Sequence, residues 1–289
     1  MTARSIIAGA AQVTLAMALA ACGSSSTPDE ERSVTGDTLS AKELVKQVRR
    51  STVSIVSQPP GEPRDPSAHG AHAHGSGVIW DAGSGLVLTS DHLVEHAGTI
   101  SVTVDGDTKA QGELVARAQC NDMAVLTLHP RPAGLVAIEV AKSSQLEIGD
   151  EVTALGYHKS ATAPEASLIR TNGEVSSVNV STAVSPDLPE LPSVVLHQAA
   201  IESHMSGGPL VNARGELVGL LTLVPGAPVH GPDAAVSSDY LAKEMAKLDE
   251  QPDGTFVGWK DQHRCHRAMV KIANRVLVRH GPPKEHDGH

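Results

Sequence analysis

The chain has 289 residues and a formal net charge of −10, with 40% hydrophobic but only 2% aromatic residues. That acidic balance argues against nucleic acid as a partner, because neutralising phosphates takes a basic surface. The scarcity of rings leaves a core of Val, Leu, Ala and Ile, a composition that β-structure tolerates well.

At the N-terminus Arg4 precedes an uncharged apolar run over 6–21 that ends in Leu19-Ala20-Ala21-Cys22-Gly23. The run falls short of the roughly 20 residues of a spanning helix, and small residues before Cys22 suit a signal peptidase, so residues 1–22 read as an export signal. The motif resembles a bacterial lipobox, which implies that Cys22 is lipidated and becomes the mature N-terminus; the plainer alternative is a cleaved signal with an incidental cysteine. Residues 23–39, opening Gly23-Ser24-Ser25-Ser26-Thr27-Pro28, lack an apolar face and read as a disordered tether. Residues 40–249 are enough for one sizeable domain or two small barrels that share an active site, and a single catalytic unit fits best.

Ser40-Ala41-Lys42-Glu43 has capping-box spacing, with Leu44, Val45 and Val48 on one helical face, so a short helix opens the domain. Short β-rich runs follow at 53–56, 77–80, 86–89, 100–104, 113–116, 124–128, 151–155, 173–180, 194–196, 209–211 and 217–223, with 81–85 as a hairpin connection. Many short strands at close spacing indicate barrels or a sandwich. A second helix over 238–248 closes the domain.

Three segments each set a catalytically useful polar residue at the edge of an apolar strand: Ser90-Asp91-His92-Leu93, Asn121-Asp122-Met123-Ala124 and Met205-Ser206-Gly207-Gly208. Acyl transfer by serine requires a base to activate a weak nucleophile and a carboxylate to orient that base. His92, Asp122 and Ser206 supply base, orienter and nucleophile in that chain order. Singly each has a dull explanation, His92 being one of 15 histidines; the three together, each in its local context, point to a catalytic triad.

The sequence also resembles the HtrA or DegP-like branch of trypsin-like serine proteases from about residue 51 to 248. The likeness rests on Gly75-Ser76-Gly77-Val78-Ile79, Gly85-Leu86-Val87-Leu88-Thr89 before His92, Asp122-Met123-Ala124-Val125-Leu126, Gly149-Asp150-Glu151-Val152, Ser206-Gly207-Gly208-Pro209-Leu210-Val211-Asn212 and Gly215-Glu216-Leu217-Val218-Gly219. It implies an all-β fold of two six-stranded antiparallel β-barrels, with short N- and C-terminal helices and the triad between the barrels. It further implies a serine endopeptidase acting on exported or unfolded polypeptides, lipid-anchored through Cys22 on the extracytoplasmic side of the cell membrane. No cofactor or metal is implied, and a homo-oligomer is admitted.

The departures are informative. The family usually reads Gly-Asn-Ser-Gly-Gly at the nucleophile, whereas His204-Met205 precede Ser206 here. The N–H groups at His204 and Ser206 would form the oxyanion hole, where glycine permits a backbone geometry that a larger residue resists. The runner-up function is therefore a pseudoprotease that binds exposed peptides in the same cleft. Gln198 stands where aspartate is common, and Ile201 at the primary specificity pocket favours small aliphatic side chains.

Only about forty residues follow Leu248, too few for a PDZ domain. Within residues 250–289, Ala268, Met269, Ile272, Ala273, Val276 and Leu277 recur at helical spacing beside Arg267, Lys271, Arg275 and Arg279; a helix packed on the barrel is preferred to one lying on anionic lipid. Cys120 and Cys265 either pair in a disulfide or remain free. His69, His72 and His74, with His263 and His266 in the tail, read as solvated rather than as zinc ligands.

Overall fold

The computed structural model describes residues 38–61, 73–118, 121–158, 166–182, 191–222 and 233–249. Cys22, most of the tether, the Cys120–Cys265 pair, His69, His72 and the tail helix lie outside the described residues.

Helix α1 (Ala41–Arg49) forms where the capping box predicts it. The Ser40 side chain accepts from the Glu43 N–H, and the Glu43 carboxylate accepts in return from the Ser40 N–H at 3.1 Å. Leu44 and Val48 are its buried face. Twelve strands follow: β1 (Thr52–Gln58), β2 (Ala73–Asp81), β3 (Leu86–Thr89), β4 (Thr99–Val104), β5 (Thr108–Ala118), β6 (Met123–His129), β7 (Glu151–His158), β8 (Ser167–Thr182), β9 (Leu191–His197), β10 (Pro209–Asn212), β11 (Leu217–Thr222) and β12 (Asp233–Ser237), then helix α2 (Ser238–Asp249). Among the described residues no helix is long and apolar enough to cross a membrane.

The strands close into two antiparallel six-stranded barrels, ordered β1-β2-β3-β6-β5-β4 and β10-β11-β12-β9-β8-β7. Closure leaves no open sheet edge. Each barrel encloses an aliphatic core: Val53, Ile55, Val87, Leu126 and neighbours in the first, Ala154, Val195, Leu210, Leu221 and neighbours in the second. A third cluster fuses them, as Val78, Leu88, Met123 and Val125 of the first barrel join Leu155, Val194, Val211 and Leu220 of the second, with Leu44, Val48, Leu241 and Met245 of the helices. Strands of the first barrel such as β6 are therefore buried on both sides, one toward the barrel interior and one toward its partner, which explains the unbroken run Met123 to Leu126.

Candidate active site

His92 sits in a 3-10 turn, Asp91–Leu93, directly after β3. An ion pair between buried Asp91 and partly exposed Arg117 holds this turn. Arg117 on β5 donates from Nε and Nη2 to the two Asp91 oxygens at 2.7 and 2.9 Å, a fork-shaped contact that fixes geometry as well as charge. Burial raises the Asp91 pKa despite the opposing pull of Arg117.

Asp122 immediately precedes β6 and lies in the left-handed region, φ 48°, which aspartate tolerates better than most residues. Its carboxylate accepts the His92 backbone N–H at 3.0 Å, and both of its oxygens lie 2.9 Å from His92 Nδ1. From the second barrel, Thr222 Oγ1 donates to Asp122 Oδ2 at 2.6 Å. Burial alone would raise Asp122, but His92 and these hydrogen bonds outweigh it and hold the carboxyl below its ordinary value. For His92 burial would depress the pKa, and the attraction of Asp122, joined by Asp91 and Glu95, reverses that and raises it.

Ser206 ends a second 3-10 turn, Ser203–Met205, on the other barrel, and is buried. Its loop is fastened to both barrels. The Ser206 carbonyl accepts from Ser76 N at 2.8 Å, and Gly207 N donates to Leu221 O at 2.8 Å. Gly207 has φ +80°, and a Cβ there would overlap the Ser76 carbonyl and the Thr89 hydroxyl, so only glycine brings this loop against β2 and β3, just ahead of His92. The fold thus brings His92, Asp122 and the Ser206 loop to one seam between the barrels.

The two residues before Ser206 adopt an unexpected geometry. Positive φ among described non-glycine residues occurs only at Asp105, Asp122 and Asn179, so His204 has an ordinary backbone. The turn is closed on itself: Met205 N donates to Glu202 O at 2.8 Å, and Ser206 N to Ser203 O at 3.4 Å. The N–H of Ser206 therefore faces its own turn rather than a point shared with the His204 N–H. The His204 carbonyl accepts from Ser76 Oγ at 3.0 Å, and Ser76 Oγ accepts in turn from Tyr157 N at 2.8 Å.

Ile201 donates its N–H to Asp233 Oδ2 at 3.0 Å. Burial raises the pKa of this half-buried carboxyl. Asp233 is not legible in the sequence as a partner of Ile201, because it lies on β12, a strand too short and alanine-rich to stand out. Thr222 was likewise unmarked, although a threonine closing the wholly apolar run of β11 is the kind of polar group that must find a partner when buried.

The profile of the trypsin-like peptidase domain matches residues 75–220. Over 182 residues the chain is 33% identical to the periplasmic serine endoprotease DegP of Salmonella typhimurium, covering 62% of this chain and 36% of that protein. It is 32% identical over 177 residues to the periplasmic pH-dependent serine endoprotease DegQ of Escherichia coli, covering 60% and 36%. The chain thus spans little more than a third of the length of these curated relatives. The solved HtrA-type protease AlgW with tripeptide superposes with a TM-score of 0.60 at 22% identity, over 73% of this chain and 64% of that one.

Proposed function

The chain belongs to the trypsin-like peptidase family, and from that premise we propose that it is a serine endopeptidase of the HtrA or DegP-like branch, acting outside the cytoplasm through His92, Asp122 and Ser206. The observation that carries this reading is the His92 imidazole with Nδ1 2.9 Å from both oxygens of a buried carboxylate. With Nδ1–H donated to Asp122, the neutral ring keeps Nε2 as the basic nitrogen.

In the first step Ser206 Oγ attacks the scissile carbonyl carbon and its proton passes to His92 Nε2, while the carbonyl π pair moves onto oxygen. Collapse of that intermediate breaks the C–N bond, and the leaving amine takes the proton from His92. Water then attacks the ester by the same route, regenerating Ser206 and releasing the acid. Asp122 stays ionised and stabilises the imidazolium, a role that its lowered pKa and the Thr222 bond both favour. Stabilising the oxyanion requires the 203–206 turn to open, which replaces the long Ser206 N–H contact with Ser203 by one to substrate oxygen.

The closed turn also favours a second reading, in which the cleft binds peptides without cutting them. A fluorophosphonate probe separates the two, because it labels only a serine activated by a working base and oxyanion site. Stoichiometric labelling lost in Ser206→Ala supports the protease; an unlabelled folded chain that still binds unfolded polypeptide supports the other. Residues 40–249 form the proposed catalytic domain, its substrates are polypeptides, and assembly with further copies is admitted. Cys22 is the proposed lipid anchor, and Cys22→Ala should release the protein from membranes.

A further inference from the structure

Beside the 203–206 turn, three side chains converge from two elements. His158 ends β7, Glu202 caps the turn and His204 lies within it, and one ligand atom from each lies within 4.8 Å of the others. The rings of His158 and His204 meet edge to face at 85°, centroids 5.2 Å apart. The Glu202 carboxylate approaches His158 Nδ1 to 2.8 Å, yet Nδ1 has no properly aligned hydrogen-bond partner, so the contact is proximity of charge rather than a satisfied bond. Two imidazole rings are thereby held against each other with one carboxylate beside them. Burial, aided by His158 and opposed by Glu202, lowers the His204 pKa.

We propose that His158, Glu202 and His204 form a binding site for zinc or a similar divalent transition metal, which holds the oxyanion turn closed. Two imidazoles and a carboxylate are a zinc-type donor set, with a fourth position left to water. Donors about 2.0–2.2 Å from a tetrahedral ion stand somewhat more than 3 Å from one another, so the three need rotate only about their own side-chain bonds to converge. The backbone beneath them is already fixed, because Ser76 Oγ ties β7 at Tyr157 to the His204 carbonyl.

The position of the site gives it a consequence. Glu202 and His204 bracket the turn whose Ser206 N–H bonds to Ser203, and a metal joining both to His158 on the barrel resists the opening that oxyanion stabilisation requires. Metal binding would therefore slow turnover without touching His92, Asp122 or the Ser206 hydroxyl. This regulatory half rests on the protease reading; the metal site itself does not.

The test is calorimetric titration of the full mature chain with zinc chloride, alongside His158→Gln and Glu202→Gln. Both side chains are partly exposed, 35% and 56%, so neither change threatens the core. The parent should show one class of site absent from each variant or weakened at least about 10-fold; histidines elsewhere contribute equally to all three isotherms. Superimposable isotherms overturn the site. In a peptide-hydrolysis assay, zinc should slow the parent, a chelator should restore it, and His158→Gln should be insensitive over the same range. Binding that leaves turnover unchanged overturns the hold on the turn. A chain that fails to label with fluorophosphonate even when metal-free removes the protease reading, while the isotherms still decide the site.

Discussion

His197, the last residue of β9, is fully buried, opposite Asp233 on β12 and Val175 on β8. Neither ring nitrogen finds a hydrogen-bond partner among the described residues. Burial depresses its pKa to about 4; the backbone of Ala199 favours the charged form slightly but is too poorly placed to satisfy either nitrogen. An unfolded histidine takes up its proton near pH 6.5, so between there and about 4 the unfolded chain binds more protons and stability falls as pH falls. At 1.36 kcal/mol per pH unit the whole displacement amounts to about 3 kcal/mol, of which about 2 kcal/mol is lost by pH 5. His197→Leu removes both the titration and two unsatisfied nitrogens, so it should leave stability near pH 7.5 equal or higher. Urea unfolding of parent and variant at about pH 7.5 and about pH 5 measures the difference, and the parent should lose about 2 kcal/mol more than the variant. Parallel losses in the two proteins would refute a neutral buried His197.

Four further outcomes follow from the site. Because His92 is raised above its ordinary value and acts as a base only when neutral, kcat/KM should climb with pH on an acid limb centred above about 6.5; the stability gained from charging His92 runs oppositely, full below about 6.5 and lost as pH rises through the folded pKa. Thr222→Val removes a hydrogen bond to a buried carboxylate and should cost about 1.5–3 kcal/mol in urea unfolding, with a fall in kcat larger than any change in KM. Gly207→Ala forces a Cβ into a left-handed residue and against Ser76, so its urea midpoint should drop by at least the equivalent of about 1–2 kcal/mol. His204→Gly removes the cost of a Cβ in the open turn, raises the open population and should raise kcat by about 5- to 30-fold, read in a peptide-hydrolysis assay.

The parts legible in the sequence are those with short-range causes. The capping box gave helix α1, and the eleven apolar runs mark eleven of the twelve strands, because a buried strand announces itself by its own residues. Strand β12 does not. Asp233-Ala234-Ala235-Val236-Ser237 has little β propensity and becomes a strand through its partners β11 and β9, which supply its hydrogen bonds. Strands β5 and β8 extend well beyond the runs that mark them for the same reason. The His92–Asp122 pairing was legible from residue types in order, but its supports were not: Thr222 is 100 residues from Asp122, Ser76 is 128 from His204, and Arg117 is 26 from Asp91.

His204 shows why a motif departure must be weighed by conformation as well as identity. An oxyanion hole formed by the N–H groups at 204 and 206 predicts glycine at that position, yet the turn is closed and His204 adopts it with an ordinary backbone. The histidine therefore imposes no strain on the closed form; its cost falls on opening. Placing a Cβ-bearing residue in a left-handed conformation costs about 1–2 kcal/mol, a factor of about 5 to 30 in the open population. Outright loss of an oxyanion donor costs about 100- to 1,000-fold. On the proposed protease reading the smaller penalty applies, and it slows turnover by displacing the resting state toward closure without removing the donor. Burial would raise Asp122, but His92 first and the Thr222 bond after it hold that carboxyl below its ordinary value, the state that a general base needs behind it in the proposed protease.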